Sequence, residues 1–165
     1  HYIDKKVDKS LLDEMLSAAN LAPSWKNSQT TRFYVATGEK SKNAVREALP
    51  EFNRKNSENA SAYIVTTVVL NRSGFDKDGT AVTEIGNGWG YYDLGLNNMA
   101  LLLKATELGI STLVMGIRDG EKLRKEFDIP ETEAVVSVIA VGYTDSEIVR
   151  PKRKSVEDFS KFYED

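Results

Sequence analysis

The sequence predicts an α+β layered domain, and three observations carry that expectation. Four strand-like segments are interspersed with helices without a strict strand-helix alternation, which favours segregated layers over a doubly wound parallel sheet. One of them, AYIVTTVVL at 62–70, is apolar at almost every position, as suits a strand covered on both faces. The third observation is DLGLNNMALLLKATELG at 93–109, the most apolar continuous stretch in the chain. At about 100° per residue, Leu94, Leu96, Met99, Leu101, Leu102, Leu103, Ala105 and Leu108 fall on nearly every side of a helix. Such a helix has no broad wet face. Its own sheet covers one side, and the other needs more of this chain or a second subunit.

The remaining elements follow in order. Asp8 is a candidate N-cap for a first helix in which Leu11, Leu12, Met15, Leu16, Ala18 and Ala19 form one apolar stripe against Asp13, Glu14 and Ser17. Pro23 disfavours helical geometry at Ala22, so this helix ends near Leu21. A polar loop with an embedded tryptophan, LAPSWKNSQTT, leads to the strand RFYVAT, rich in β-branched and aromatic residues. Residues 39–49 read as a short surface helix with Val45 and Leu49 inward, and 53–59 as a polar, solvated stretch. Residues 71–88, with four glycines and mixed charge, form a long loop of the functional or mobile kind. Trp89, Tyr91 and Tyr92 then lead into the central helix. Asp93 is placed as its N-cap and Gly109 as the left-handed residue after its last turn. Behind it lie the strand STLVMG, a helix over about 119–127 that ends before Pro130, and the strand AVVSVIAVGY. The tail carries Arg150, Pro151, Lys152, Arg153 and Lys154, then a short helix over Val156, Phe159 and Phe162. No internal repeat, low-complexity tract or second-domain boundary is visible, so 1–165 reads as a single domain.

Composition narrows the chemistry. A chain of 165 residues suits one domain with a proper core, and a formal charge of -3 argues for neither nucleic acid nor an anionic membrane surface. The central helix is interrupted by Asn97, Asn98, Lys104 and Glu107, and is too short for a membrane span of ~20 apolar residues. Without cysteine there is no disulfide, thiolate nucleophile or iron–sulfur ligand, which fits a reducing, cytoplasmic compartment. The one histidine, His1, leaves no His-based metal site and no His-dependent triad, and no metal is expected. No G-x-G-x-x-G follows a strand and no P-loop occurs. Chemistry must come from carboxylates, amides, hydroxyls or a borrowed cofactor. No side chain stands out as a general acid, so no catalytic residue is assigned.

Four stretches, taken in their order and spacing, resemble the FMN-dependent nitroreductase family, specifically its short members. They are the first helix running into APSWKNSQTTRFYV, the block YYDLGLNNMALLLKATELGISTLVMG, the strand IPETEAVVSVIAVGY, and the basic RPKRK. The resemblance covers about 2–159. It implies a homodimer with a central mixed, mostly antiparallel sheet flanked by helices. The long central helices pack across the two-fold, with the Leu101 part of the helix facing it, and two FMN molecules lie in clefts between the subunits. It further implies a ping-pong cycle: NAD(P)H gives hydride to the flavin and leaves, then a nitroaromatic, quinone or similar flat acceptor enters the same cleft. A shared cleft needs no dinucleotide fingerprint.

Carried over residue by residue, the resemblance gives a candidate site. In the family an Arg-x-Ser-x-Arg segment just before the position of His1 supplies part of the phosphate counter-charge. Lys152 and Lys154 match a second basic pair on that phosphate. Two alternate side chains on an extended segment point the same way, although a solvated basic patch reads alike. Ser24 and Asn27 match the loop that reaches the flavin ring from the partner subunit; an amide offers the donor and acceptor that a pyrimidine edge requires. The bland alternative is a turn in which both satisfy backbone. Asn53 matches an asparagine against the ring or ribityl chain, or is an ordinary loop residue. Met115 and Gly116 match the strand end beside flavin N5, where many relatives carry glutamate at the Met115 position; Gly116 otherwise marks a tight turn. Trp25, Trp89 and Tyr92 are candidates to stack on a flat substrate, or pack inward as core. Two further readings stand beside the redox one: a non-redox FMN-binding protein, and a flavin-free dimeric interaction module.

Overall fold

In the computed structural model, which describes residues 1–147 and 149–164, the strands β1 (Thr31–Ala36), β2 (Ala62–Val69), β3 (Ser111–Met115) and β4 (Glu133–Gly142) form one sheet. Their order is β1-β2-β4-β3, and all three pairings are antiparallel. β2 and β4 are the inner strands, and because side chains alternate across a strand each feeds two cores. On one face Tyr63, Val65, Val138 and Ala140 pack with Val45 of α2 (Glu39–Glu47), Leu49, Leu123 of α5 (Gly120–Glu126) and Ile129. On the other Ala62, Ile64, Ile139 and Val141 pack with Leu12, Met15 and Ala19 of α1 (Lys9–Asn20) and with Leu101 and Ala105 of α4 (Gly88–Glu107). The near-continuous apolar run of β2 follows from these two covers. Helix α5 begins as expected at Asp119, whose carboxylate accepts the Lys122 N–H at 3.0 Å. At α1 the chain turns at Asp8, but its side chain makes no capping bond.

The central helix departs from expectation at its start. It begins at Gly88 rather than at Asp93, because turns with hydrogen bonds from Gly88 N–H to Ile85 and from Trp89 N–H to Gly86 lead the chain straight into it. Asp93 is therefore not a cap; it lies inside the helix and is buried. The C-terminus is as read. Gly109 has φ +69°, and the Gly109 and Ile110 N–H groups donate to Thr106 and Ala105, the two bonds that close a helix through a left-handed residue.

Only one side of α4 is covered by its own chain. Gly90, Asp93, Leu94, Asn97, Leu101 and Ala105 are buried, while Tyr92, Met99 and Leu103 on the opposite side are 60%, 51% and 58% exposed. Leu101, at 0% exposure, belongs to the α1–α4 core. The expectation that it faces a two-fold is corrected: periodicity showed apolar residues all round the helix but not which of them meet the sheet.

Residues 53–59 are solvated at 54–56, 58 and 59, as read, but not at every position. A short helix, α3 (Glu51–Asn56), occupies the start of this stretch. Asn53 and Ser57 are buried behind it, with Ser57 Oγ donating to the Asn53 carbonyl at 2.7 Å and Tyr63 Oη to the Ser57 carbonyl at 2.7 Å. In the tail, α6 (Val156–Phe159) is one turn closed by a capping box between Ser155 and Asp158, and Phe162 lies beyond it.

Candidate functional site

The candidate residues gather into two groups and an exposed tail. The first group forms where Pro23 has ended α1 and the chain turns tightly. Ser24 Oγ accepts the Gln29 N–H at 3.0 Å, and its carbonyl accepts the Asn27 N–H at 3.0 Å. Within this turn Lys26, Asn27 and Gln29 have φ of 45°, 54° and 51°. Left-handed conformations cost a side-chain-bearing residue roughly 1–2 kcal/mol each and persist where surrounding contacts over-determine them. Those contacts come from two distant segments. The Trp25 N–H donates to both carboxylate oxygens of Asp93, at 3.1 and 3.0 Å, and Ser28 Oγ lies 2.5 Å from Ser73 Oγ. Lys26 Nζ pairs with Asp76 at 3.3 Å.

The aromatic candidates join this group. The Trp25 and Trp89 rings lie 4.7 Å apart with planes tilted by 45°, and Tyr92 meets Trp89 edge-on at 5.8 Å. Trp89 is tied further by its indole N–H, which donates to Thr83 Oγ1 at 2.8 Å. Trp25 and Trp89 are half-buried against each other, so Tyr92, at 60% exposure, offers the freest ring. The long loop before α4 folds over them with a bridge between Phe75 and Ala81. It depends on Gly74 at φ +85°, where a Cβ would stand 2.5 Å from the Gly86 carbonyl oxygen and 2.8 Å from Trp89 Cδ1.

The second group sits at the end of β3. The Met115 side chain is buried in the α2–α5 core, so it leaves only backbone for a ligand. Gly116 is exposed, and a Cβ built there meets nothing within 4 Å. Asn53 reaches this strand end from α3, donating from Nδ2 to the Ile117 carbonyl at 3.1 Å. Among the described residues, the backbone N–H groups of Gly116, Ile117 and Arg118 find no acceptor. Asn53, Met115 and Gly116 are thus neighbours, although 62 positions separate the first two in sequence.

Lys152 and Lys154 are exposed on the tail, and among the described residues neither forms an ion pair or hydrogen bond with the two groups. One cavity, about 800 Å³, is lined by Lys5, Lys6, Lys42 and Arg46 among others and contains no candidate residue; another of about 330 Å³ includes Ser24. Among the described residues no cluster of His, Asp or Glu is arranged to hold a metal, and no helix is long and apolar enough to cross a membrane. Reading the sequence missed Asp93 and Ser73 as anchors of the 24–29 loop. The available signal was an aspartate between the aromatic start and the apolar body of the central helix.

The layered α+β fold with this strand order defines the class, and comparison with known proteins defines the family within it. The model of the nitroreductase family matches residues 1–143, and the chain belongs to this family of oxidoreductases. A protein of Archaeoglobus fulgidus named "Putative NADH dehydrogenase/NAD(P)H nitroreductase" is 27% identical over 153 residues, covering 88% of this chain and 79% of its own. The crystal structure of a nitroreductase family protein from Streptococcus pneumoniae superposes with a TM-score of 0.84 at 22% identity, over 99% of this chain and 94% of the other. A structure described as an oxidoreductase containing FMN superposes with a TM-score of 0.74 at 24% identity, over 88% of this chain and 71% of that one.

Proposed function

We propose that the chain is one FMN-binding domain, working as a homodimer that passes hydride from NAD(P)H to a flat acceptor such as a nitroaromatic or quinone. The observation that carries this reading is a pair of incomplete half-sites on one chain. The strained 24–29 loop, with its aromatic neighbours, presents amide and hydroxyl groups. The end of β3, with Asn53, presents open space over Gly116 and free backbone donors. Two copies related by a two-fold bring the loop of one to the strand end of the other.

The residues fit the group. Asn27 offers an acceptor and a donor to a pyrimidine edge. The Gly116 N–H and the Asn53 amide stand at the strand end that faces the ring in this reading, and Lys152 and Lys154 supply counter-charge to a phosphate. FMN, when bound, supplies hydride acceptance and donation. The chain's own part is to bind, to orient and to exclude water, with Tyr92 and the Trp25–Trp89 pair walling the acceptor side. The name of the Archaeoglobus relative supports a nicotinamide donor, and the FMN-containing structure supports the flavin. A nicotinamide pool as donor suits a cytoplasmic setting.

The homodimer is supported by what one chain leaves bare. Tyr92, Met99 and Leu103 recur along one side of α4, and the tail exposes Val156, Phe159, Phe162 and Tyr163. Apolar surface in this quantity marks a contact.

The test is the visible spectrum of the purified protein before and after anaerobic NADPH or NADH. Flavin bands near ~450 nm that bleach with a nicotinamide are expected. Bands that never bleach would convert the reading to a non-redox flavin-binding protein. A protein that stays colourless after FMN is added would end the flavin reading and leave the dimeric interaction module.

A further inference from the structure

We infer that Asp93 is a positioning residue for the 24–29 loop: through the Trp25 N–H and the Ser73 hydroxyl, its carboxylate sets where Ser24, Trp25 and Asn27 stand. This rests on the flavin reading above and deepens it by naming the residue that holds the loop half of the site.

Asp93 is 2% exposed, and among the described residues it has no ion-pair partner. Burying a carboxylate is costly unless hydrogen bonds satisfy it, and an apolar residue would pack this position of α4 without that cost. Its hydrogen bonds all serve one segment. The Trp25 N–H sits 3.1 Å from Oδ1 and 3.0 Å from Oδ2, and Ser73 Oγ donates to Oδ2 at 2.6 Å. Ser73, itself 1% exposed, lies 2.5 Å from Ser28 Oγ and 3.2 Å from Thr30 Oγ1. The carboxylate thus grips the loop at both ends, at Trp25 directly and at Ser28 and Thr30 through Ser73. Between those grips lie the left-handed residues Lys26, Asn27 and Gln29. Such conformations relax when nothing holds them.

The placement also sets register. Asp93 is one turn after Trp89 on the same helix, so the helix that carries the indole under Trp25 carries the anchor for the Trp25 backbone. Loop and aromatic shelf therefore move together or not at all.

Asp93→Asn is the discriminating change because it preserves shape. The Trp25 N–H faces both oxygens, so either orientation of the amide leaves it one uncharged acceptor in place of two and sets an Nδ2 donor beside it. Ser73→Ala is the second variant, which keeps the Trp25 contact and removes the grip on Ser28 and Thr30. The experiment is amide hydrogen exchange on the whole chain, with and without FMN, paired with steady-state kinetics. In Asp93→Asn the Trp25 amide is expected to exchange about tenfold faster or more, with β2 and β4 amides unchanged. In the flavin-loaded protein, kcat/KM for the acceptor falls about tenfold, and FMN, which Ser24 and Asn27 hold in this reading, is retained less well than in wild type. Ser73→Ala loosens Ser28 and Thr30 and spares Trp25. Trp25 exchange that is unchanged, or that rises in step with β2 and β4, would overturn the inference. If wild-type chain takes up no FMN, the flavin reading fails while the exchange comparison still decides what Asp93 holds.

Discussion

Leu101 and Leu103 stand two residues apart on α4, and substituting each by Glu should break different things. Leu103 is 58% exposed in the single chain, while Leu101 is at 0% in the core between α1, α4 and the sheet. Fully burying a leucine contributes about 1.5–3 kcal/mol, so covering the exposed part of Leu103 in a dimer contributes about 1–1.5 kcal/mol per protomer. Counted for both protomers, Leu103→Glu should raise the dimer dissociation constant at least about 30- to 150-fold. Desolvating the new carboxylates adds to this. Fold stability of the monomer should change little, since the site is surface in one chain. Leu101→Glu is a different lesion. Truncating a buried leucine costs about 2–5 kcal/mol, and an unpaired carboxylate there adds more. Against a total stability of about 5–15 kcal/mol, that variant should not fold. Sedimentation velocity over a concentration series, with far-UV circular dichroism melts, reads both. A Leu103→Glu dimer of unchanged affinity would refute the packing of this face, and a folded monomeric Leu101→Glu would refute the core assignment.

Replacing Lys152 and Lys154 together by Ala should weaken FMN about tenfold or more, seen as flavin lost on dialysis; unchanged retention would remove their phosphate role. Raised salt should act in the same direction on the wild type. Tyr2 gives a pH prediction. Its hydroxyl donates to the Ala140 carbonyl at 3.0 Å, and burial first, then its neighbour Tyr63, raises its pKa well above the ordinary value. A folded-state pKa above the unfolded one means that the contribution is complete below about pH 10 and is lost as pH rises beyond it. Urea midpoints should therefore decline in alkali, and Tyr2→Phe should flatten that decline while costing about 0.5–1.5 kcal/mol at neutral pH. An equally steep alkaline decline in Tyr2→Phe would assign it to other groups.

Much of the fold was legible in local pattern. The apolar run of β2 announced a doubly covered strand, Asp119 and Gly109 marked helix ends, and the stripe of α1 marked its inner face. The candidate site was legible only as scattered matches to a family pattern. Trp25, Trp89 and Tyr92 do form one cluster, and Asn53 does stand beside Gly116, but the sequence had placed Asn53 in a solvated stretch.

By itself, then, the sequence determined most of the elements, their order and the identity of the apolar faces, because propensity, capping and periodicity act over a few residues. Tertiary structure decided which face of α4 is covered by its own chain and which is left exposed. It also turned Asp93 from a helix cap into a buried anchor, through a bond to Trp25 that spans 68 positions and one to Ser73 that spans 20. A buried polar side chain takes its role from the donors that folding brings to it, and those donors are not its neighbours in the chain.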